Sequence, residues 1–290
     1  MIKISNCPVC EKNEFTDFMS CVDHTVTKES FKLMRCTTCN FVLTNPQPDQ
    51  EKLGKYYLSD DYISHTGKAK SFIDQLYLFL RKRSLKWKLS LLPQTKGRLL
   101  DYGCGTGEFL RTCQINGWTI NGIEPSPIAR GKAKVLTGIT IKSHLEETHE
   151  KYDAISLWHV LEHIGDLNKK ITQLSNCLKE DGQLFIAVPN HKSFDAKYYR
   201  QLWAGYDVPR HLWHFNQSTT QEILKKNGLT IVKTIPMKLD SFYVSMLSEK
   251  YKNKHHPLIQ LIKAFYIGVL SNWKARKENE YSSLIYVAQK

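Results

Sequence analysis

The stretch Asp101-Tyr102-Gly103-Cys104-Gly105-Thr106-Gly107 predicts a nucleotide-cofactor loop at the end of a buried strand. It is entered from the apolar pair Leu99-Leu100, and glycines then occupy every second position. Glycines in such a strand-to-helix turn let the backbone approach a ligand closely. A dinucleotide fingerprint has its third glycine one position later, where this chain has Glu108. The spacing therefore argues against a dinucleotide.

The leading Asp101 adds a charge argument about the ligand. A fixed carboxylate beside the loop repels a pyrophosphate and attracts an ammonium or a sulfonium group. S-adenosylmethionine carries positive groups of these kinds and no phosphate. The sequence therefore favours S-adenosylmethionine as the ligand of this loop.

The composition is that of an ordinary folded chain. Its 290 residues are 41% hydrophobic and 11% aromatic, which suits one substantial core with room for a small second domain. The N-terminal residues lack the apolar region of a signal peptide. No run reaches the roughly 18 apolar residues of a membrane-spanning helix. We therefore expect a cytoplasmic protein.

The net charge of +13 suits an anionic partner. Much of the excess lies in two segments, Lys68 to Arg98 and Lys250 to Lys277. Contact with nucleic acid and peripheral contact with an anionic membrane are two explanations. Plain solubility of a lysine-rich cytoplasmic chain is a third.

Four of the eight cysteines form two C-x-x-C pairs: Cys7, Cys10, Cys36 and Cys39. Two such turns can hold one zinc ion tetrahedrally, and the metal then stabilises a unit too small for a core of its own. We therefore predict a structural zinc ribbon over residues 1–45. Cys21 and His24 lie between the pairs and are alternative ligands, and unrelated thiols are the other interpretation. A catalytic zinc is disfavoured because four sulfur ligands leave no open position.

The remaining chain divides into a lead-in and a larger domain. Residues 46–96 read as a linker and a basic helix, and from residue 97 strands and helices alternate as in a doubly wound α/β sheet. A helical insertion is expected at about 239–280. The strand candidates are Arg98 to Leu100, Thr119 to Ile123, Ile139 to Ile141, Ala154 to Leu157, Leu184 to Val188, Leu229 to Ile235 and Ser283 to Gln289.

Residues at the carboxyl ends of the strands are placed to bind the ligand, because ligands of open α/β sheets bind at that edge. Glu124 ends the second strand, where an acid can accept hydrogen bonds from both ribose hydroxyls. Capping of the next helix is the alternative role for Glu124. Leu145 follows the third strand and can cover an adenine, and Trp158 follows the fourth strand and can pack under the cofactor.

Three histidines are candidates for a general base, because their unperturbed pKa lies near neutrality. His159 and His163 follow the fourth strand, and His211 lies in an aromatic loop beside Arg210. That loop suits a lid over a polar or anionic substrate, with Arg210 as a phosphate or carboxylate clamp. A helix cap at Glu162-His163 and a structural aromatic cluster are the alternative interpretations.

Three motifs together resemble the class I S-adenosylmethionine-dependent methyltransferases: Leu99 to Gly107, Gly122 to Ser126 and Tyr152 to His163. The Leu161-Glu162-His163 signature is similar to the branch that includes the ubiquinone O-methyltransferases and many enzymes of natural-product and surface-glycan pathways. The resemblance implies a seven-stranded Rossmann-like sheet whose last strand is antiparallel and inserted beside the fifth.

The resemblance also implies roles for individual residues around S-adenosylmethionine. By this resemblance Asp101, Gly103 and Gly105 hold the methionine part of the cofactor. Glu124 holds the ribose, and Leu145 lies near the adenine. Tyr102 and Trp158 complete the implied cofactor-binding set.

The resemblance implies methyl transfer to an oxygen, or to a carbon, of a small metabolite such as a sugar, a glycan precursor or a lipid or natural-product intermediate. An N-terminal zinc segment is similar to that of some sugar C-methyltransferases and of certain ribosomal RNA guanine methyltransferases. An RNA methyltransferase and a non-catalytic cofactor-binding partner protein are therefore the alternatives. Adenine or cytosine N-methylation is disfavoured, because Trp158-His159-Val160-Leu161 replaces the Asn/Asp-Pro-Pro-Tyr/Phe motif of those enzymes.

Overall fold

The structure, a computed structural model, describes residues 1–57, 72–146, 149–252 and 256–290. Parts of the two basic segments, at residues 68–71 and 253–255, lie outside the described residues. Within the described residues the chain forms two β-sheets and eight α-helices. No helix in the described part is long and apolar enough to cross a membrane.

The strands are β1 (Phe15–Val22), β2 (Ser30–Cys36), β3 (Val42–Thr44), β4 (Arg98–Tyr102), β5 (Thr119–Ile123), β6 (Tyr152–Trp158), β7 (Leu178–Pro189), β8 (Trp213–His214), β9 (Thr230–Pro236) and β10 (Ser283–Gln289). The helices are α1 (Phe72–Leu91), α2 (Glu108–Ile115), α3 (Pro127–Thr137), α4 (Leu167–Cys177), α5 (Phe194–Tyr199), α6 (Gln217–Lys226), α7 (Asp240–Lys252) and α8 (Pro257–Glu278).

The larger sheet has the strand order β5-β4-β6-β7-β10-β9 among the described residues. Strands β5, β4, β6 and β7 are parallel. The last strand, β10, runs antiparallel between β7 and β9. This confirms the doubly wound α/β class and the insertion of the final strand beside the fifth strand of the sheet.

The prediction of seven strands was wrong by one strand in the described residues. The segment from Ile139 to Ile141 forms no strand, and the chain makes a single parallel bridge there, between Ile123 and Lys142. Helix α3 ends at Thr137 and is capped by Gly138, whose φ is +76°. Only a few residues then remain before the bend at Ser143. The segment therefore adds a single β-bridge to the edge of the sheet and not a strand.

Both faces of the large sheet are buried, as strand β7 shows. Leu184, Ile186 and Val188 pack into one core with α4 and α6. The alternate residues Phe185 and Ala187 pack into a second core with α2 and α3. Side chains alternate between faces along a strand, so a strand covered on both sides reads as a continuous apolar run.

The N-terminal unit forms a smaller antiparallel sheet with the order β1-β2-β3-β8. Its fourth strand, β8, comes from far along the chain: Leu43 pairs with Trp213, and Val42 with His214. The Thr44 hydroxyl also donates to the His211 carbonyl at 2.8 Å. The predicted domain boundary at residue 45 stays a prediction. Backbone pairing between β3 and β8 joins the residues on its two sides.

The small sheet is packed on both faces. Phe41 and Leu43 belong to the large core. Phe31, Leu33 and Val42 pack instead against the aromatic segment that contains Trp203 and Tyr206. The small sheet therefore lies between the large sheet and the segment that follows β7.

A buried ion cluster holds the small sheet to this segment. The Arg210 guanidinium lies 3.0 Å from Asp23 Oδ1 and 2.5 Å from Asp207 Oδ1. It also donates to the Tyr56 carbonyl at 2.9 Å. Burial raises the pKa of Asp23, but hydrogen bonds from the Thr27 backbone and from Arg210 outweigh it and lower the pKa to about 2. Arg210 is thus enclosed by its own chain, which does not fit a substrate clamp.

We predict that Arg210→Ala destabilises the protein by roughly 3–5 kcal/mol, because Asp23 is then left buried without its cation. Urea unfolding measures the loss. The control is Lys32→Ala, which removes an exposed ion pair with Asp17 and should cost under about 1 kcal/mol. Equal losses for the two variants would contradict the prediction.

Candidate functional site

The glycine loop lies between β4 and α2, at the carboxyl edge of the parallel strands. Gly103, Gly105 and Gly107 all have positive φ, which glycine adopts without strain. A Cβ at Gly107 would lie 2.9 Å from Ala133 Cβ, so this glycine lets α3 approach the loop. A Cβ at Gly105 would meet no described atom within 4 Å. The backbone at Gly105 is therefore the part of the loop that a ligand can reach.

The Glu124 carboxylate is held against this open part of the loop. Its Oε2 accepts a hydrogen bond from the Gly105 N–H at 2.9 Å, and its Oε1 accepts one from the Ser126 N–H at 2.8 Å. Each oxygen keeps a second lone pair, so the pair of oxygens can still accept from two hydroxyls. The cap of α3 is Ser126, which accepts from the Ala129 N–H. Glu124 is therefore not the helix cap.

Asp101 ends β4 below the loop and is buried, 2% exposed. Its Oδ1 accepts a hydrogen bond of 2.6 Å from the Ser156 hydroxyl. Burial raises the pKa of Asp101 to about 6, against the lowering effects of Ser156 and Lys88. A cationic ligand placed beside this carboxylate would stabilise its charged form.

Lys88 of α1 is a site residue that the sequence did not reveal as one. Its ammonium lies 4.5 Å from the centre of the Trp158 ring, and Trp158 packs edge-to-face on Phe109 at 5.3 Å. Burial lowers the pKa of Lys88, while the charges of Asp240 and Asp101 act to raise it. The Trp158 indole N–H is buried and has no acceptor among the described residues. Trp158 thus packs on the first turn of α2, directly after the loop, and its role under a cofactor stays a prediction.

Tyr102 and Leu145 lie together in the large core. Tyr102 is followed by the loop, but its ring lies under Lys170 of α4, 5.1 Å from the ammonium. The Leu145 carbonyl accepts from the Gln173 side chain at 2.9 Å. The structure places Leu145 beyond the bridge that follows α3, near the end of β5. Their roles toward a cofactor stay predictions.

The three predicted histidines are brought together around one carboxylate, that of Glu162. Glu162 is fully buried, and neither of its oxygens accepts a hydrogen bond from the residues that the structure describes. His159 Nδ1 lies 3.4 Å from Glu162 Oε1. The ligand-type atoms of Glu162, His163 and His211 all lie within 4.8 Å of one another. The sequence offered Glu162 only as a helix cap, and the structure places it at the centre of the cluster.

Both ring nitrogens of His159 face carboxylates. Nε2 lies 3.1 Å from Asp240 Oδ2 at the start of α7, and Nδ1 faces Glu162. Burial lowers the pKa of His159, but Asp240 and Glu162 outweigh burial and raise it to about 9. His159 is therefore an imidazolium at neutral pH and has no free lone pair for a substrate proton.

His163 and His211 pack edge-to-face, with ring centres 4.6 Å apart. His163 Nδ1 lies 3.0 Å from the Arg210 carbonyl and from the Tyr57 hydroxyl. Burial and the nearby His211 lower the pKa of His163 to about 4. His211 Nδ1 lies 2.9 Å from the Gly205 carbonyl. A carbonyl only accepts, so this contact places the proton on Nδ1 of His211 and leaves Nε2 as an acceptor.

The four cysteines of the C-x-x-C pairs form one cluster, with all sulfur atoms within 4.8 Å of one another. Two of the sulfur pairs, Cys7 with Cys39 and Cys10 with Cys36, are 3.5 Å apart. Tetrahedral zinc with Zn–S of about 2.3 Å places its sulfurs about 3.8 Å apart. The cluster therefore has the dimensions of a zinc site.

The two cysteine turns share one backbone conformation. The residue after each pair, Glu11 or Asn40, has a positive φ of 64° or 61°. Its N–H donates to the carbonyl of the first cysteine of the pair, at 2.8 Å or 3.0 Å. The alternative ligands lie elsewhere: Cys21 is buried in β1, and the His24 ring stacks on Tyr251 at 4.5 Å. Within the described residues, the only other set of metal-ligating groups is that of Glu162, His163 and His211.

Comparison with known proteins establishes the family. Residues 74–234, more than half of the chain, match the family model of a methyltransferase domain. The chain belongs to this methyltransferase family. The family and fold class predicted from the glycine loop and its companion motifs are thus confirmed.

Curated relatives of this methyltransferase include two named ubiquinone biosynthesis O-methyltransferase. That of Vibrio atlanticus (strain LGP32) is 30% identical over 115 residues, which cover 34% of this chain and 48% of the relative. That of Pelagibacter ubique (strain HTCC1062) is 25% identical over 199 residues, which cover 63% and 80%. The methyltransferase thus spans about half the length of the first relative.

A solved structure supports the fold of the methyltransferase. Coclaurine N-methyltransferase bound to N-methylheliamine and SAH aligns with a TM-score of 0.51 and 13% identity. The alignment covers 77% of this chain and 76% of that chain. At this identity the likeness establishes a shared fold and nothing about the substrate.

We predict that Asp240→Asn lowers the pKa of His159 from about 9 toward its ordinary value of 6.5, because one of two facing negative charges is removed. A pH titration of the His159 ring protons by NMR measures this. Glu180→Gln removes a 90% exposed acid and serves as the control. A pKa that stays near 9 in Asp240→Asn would contradict the assignment.

The same ion pairs make stability depend on pH. The folded-state pKa of His159 lies above that of the unfolded chain, so the stabilisation is fully present below pH 6.5 and is lost as the pH rises through 9. The wild type should therefore lose more stability than Asp240→Asn between pH 6.5 and pH 9. Urea unfolding at the two pH values measures the difference.

Proposed function

We propose that this protein transfers a methyl group from S-adenosylmethionine to a hydroxyl oxygen of a small molecule. One observation carries the proposal: the Glu124 carboxylate is fixed 2.9 Å from the Gly105 N–H, at the open part of the loop. Asp101 lies buried at the end of the adjacent strand. The names of the curated relatives, ubiquinone biosynthesis O-methyltransferases, support a small-molecule acceptor and an oxygen.

The donor set of the loop fits this cofactor. Glu124 offers two acceptors for ribose hydroxyls, and Asp101 offers a buried negative charge for the cationic methionine part. Gly105 leaves the backbone accessible, and Trp158 offers an aromatic ring with an unpartnered N–H. When bound, S-adenosylmethionine supplies an electrophilic methyl group.

The histidine cluster supplies the proton acceptor in this proposal. His159 is already charged, and the pKa of His163, about 4, makes that ring a weak base. In the neutral tautomer that donates from Nδ1 to the Gly205 carbonyl, Nε2 of His211 is an acceptor, and Asp207 Oδ2 lies 4.0 Å from that atom. We assign the general base to His211, because the imidazolium formed would face the carboxylates of Glu162 and Asp207. His211 would accept the proton of the acceptor hydroxyl; bound S-adenosylmethionine would supply the methyl group, with the electrons of its broken C–S bond staying on sulfur.

The position of the small sheet supports a small acceptor. The histidine cluster is enclosed by residues that touch the small sheet: the backbone of His211 bonds to Thr44, and His163 bonds to Tyr57. Burial of the reacting groups excludes water and strengthens their charge interactions. Little catalysis beyond alignment and proton removal is needed for a direct methyl transfer.

We predict that two substitutions separate cofactor binding from chemistry. Glu124→Ala should weaken S-adenosylmethionine binding at least about tenfold, because each charge-assisted hydrogen bond contributes roughly 1.5–3 kcal/mol. His211→Gln should leave that affinity unchanged and lower kcat by about 10²–10⁴. Calorimetry and methyl-transfer rates measure the two effects.

His149→Gln, at an exposed histidine, is the matched control and should change neither quantity. Unchanged affinity in Glu124→Ala would overturn the cofactor assignment. Unchanged kcat in His211→Gln, with loss in His163→Gln, would move the base to His163.

The acceptor class is tested by transfer of a tritiated methyl group. The protein is incubated with labelled S-adenosylmethionine and with either a fractionated metabolite extract or total RNA. Label in a small molecule, released by chemistry that cleaves a methyl ether, supports the proposal. Label in RNA would overturn it in favour of an RNA methyltransferase, and nucleoside analysis of that RNA would test guanine as the acceptor. Cofactor binding without transfer to either fraction would favour the non-catalytic partner protein.

We also propose that Cys7, Cys10, Cys36 and Cys39 hold one structural zinc ion. We predict that the purified protein contains one equivalent of zinc and that Cys36→Ser loses it, with a lower unfolding temperature. Elemental analysis and thermal unfolding measure both. Cys177→Ser, at a lone buried cysteine, should retain the zinc. A metal-free wild type with unchanged stability after chelation would contradict the proposal.

A further inference from the structure

The outer face of helix α8 is strongly apolar. Six bulky side chains on it are each between 55% and 64% exposed: Leu258, Leu261, Ile262, Phe265, Tyr266 and Trp273. At 100° per residue they all fall on one side of the helix. A contiguous exposed apolar surface of this kind marks a contact surface rather than an ordinary solvated face.

The inner face of α8 has the opposite character. Its buried residues are mainly small: Ala264, Gly268, Ser271 and Ala275. A Cβ at Gly268 would lie 2.5 Å from the Phe242 ring, so small residues let α8 pack closely on α7. The Ser241 hydroxyl also donates to the Gly268 carbonyl at 3.2 Å. The packing fixes which side of α8 faces outward, and that side carries the large apolar residues.

The charges around the outer face have one sign. Helix α8 contains four basic residues and one acidic residue, Glu278, which ends the helix and falls on the side opposite the outer face. Lys263 falls along one border of the apolar face, and Arg276 and Lys277 lie at its C-terminal end. The Lys274 ammonium instead lies 4.2 Å from the centre of the Phe194 ring of α5. Lysine and arginine stems can lie on an apolar surface while their charged ends reach anionic groups. Tyr266 and Trp273 are amphipathic rings that favour the boundary between water and lipid.

We propose that the outer face of α8 docks on an anionic lipid surface. The apolar side chains enter the boundary between headgroups and acyl chains, and the basic border contacts the anionic headgroups. The helix lies along the surface, because its inner face remains packed on α7. An apolar face with basic flanks and no acidic residue is the pattern of an interfacial helix.

Other occupants fit the face less well. A second copy of this chain would bring another net charge of +13 and no acidic residue on the same face to pair with Arg276 and Lys277. A nucleic acid would meet the basic border with its phosphates, but it would leave Leu258, Ile262 and Phe265 without apolar contacts. An anionic bilayer matches both the apolar centre and the charge.

The test is co-sedimentation of the full-length protein with lipid vesicles. The protein should bind vesicles of phosphatidylcholine mixed with phosphatidylglycerol, and bind vesicles of phosphatidylcholine alone much more weakly. The double variant Ile262→Ser/Phe265→Ser should lose about tenfold or more in affinity for the mixed vesicles. The double variant Ile128→Ser/Val135→Ser, at residues of α3 that are 65% and 88% exposed, is the matched control and should bind as the wild type does.

A second variant isolates the charge contribution and does not depend on the first. Arg276→Gln/Lys277→Gln should weaken binding by about fivefold for each charge removed, and added salt should weaken wild-type binding. Unchanged unfolding temperatures in both variants show that the fold is retained.

Four results would overturn the proposal. Absence of wild-type binding to the mixed vesicles is the first, and equal binding by the wild type and Ile262→Ser/Phe265→Ser is the second. The third is a stable dimer in solution that Ile262→Ser/Phe265→Ser dissociates, which would make a second copy the occupant of the face. RNA binding that needs the same apolar residues would likewise replace lipid as the partner. None of these outcomes depends on the methyl-transfer proposal, because vesicle binding is measured without cofactor or acceptor.

Discussion

The buried Arg210 guanidinium connects parts of this protein that lie far apart in the sequence. It joins Asp23 of the small sheet, the Tyr56 carbonyl and Asp207, and the next residue along the chain is His211. A buried cation of this kind is stable only while its carboxylates stay in place. Arg210 therefore holds together the small sheet, the segment around Tyr56 and the loop that contains His211. The pairing of β8 with β3 joins the same parts of the chain.

Alternating charges run from the glycine loop to the histidine cluster. Lys88 lies within the fields of Asp101 and Asp240, and Asp240 in turn faces His159, which faces Glu162. Each buried charge is stabilised by a neighbour of opposite sign, which is the condition for keeping several charges away from water. The series also explains why neighbouring histidines differ, with the pKa of His159 near 9 and that of His163 near 4.

The insertion between β9 and β10 contributes to two regions at once. Its first helix, α7, brings Asp240 to the histidine cluster, and its second helix, α8, presents the apolar outer face. The close packing of α8 on α7 at Gly268 joins the two. Because the small residues of α8 allow close packing on α7, they form the buried side of the helix. The large apolar residues of α8 are therefore left at the surface.

The features of this protein that depend on local spacing could be predicted from its sequence. The glycines after Asp101 and the acid after β5 predicted the family, and the C-x-x-C pairs predicted the cysteine cluster, because each motif acts within one turn of the chain. The prediction of a seventh strand was wrong, because pairing at a sheet edge depends on the number of residues left after Gly138. The apolar character of Ile139 and Ile141 does not decide it. The charged contacts of Lys88, Asp240 and Glu162 could not be predicted from the sequence, since burial and facing charges set the chemistry of a side chain and both depend on the folded chain. Arg210 is a structural ion for the same reason, because Asp23, 187 positions away in the sequence, joins Asp207 around its guanidinium only in the folded chain.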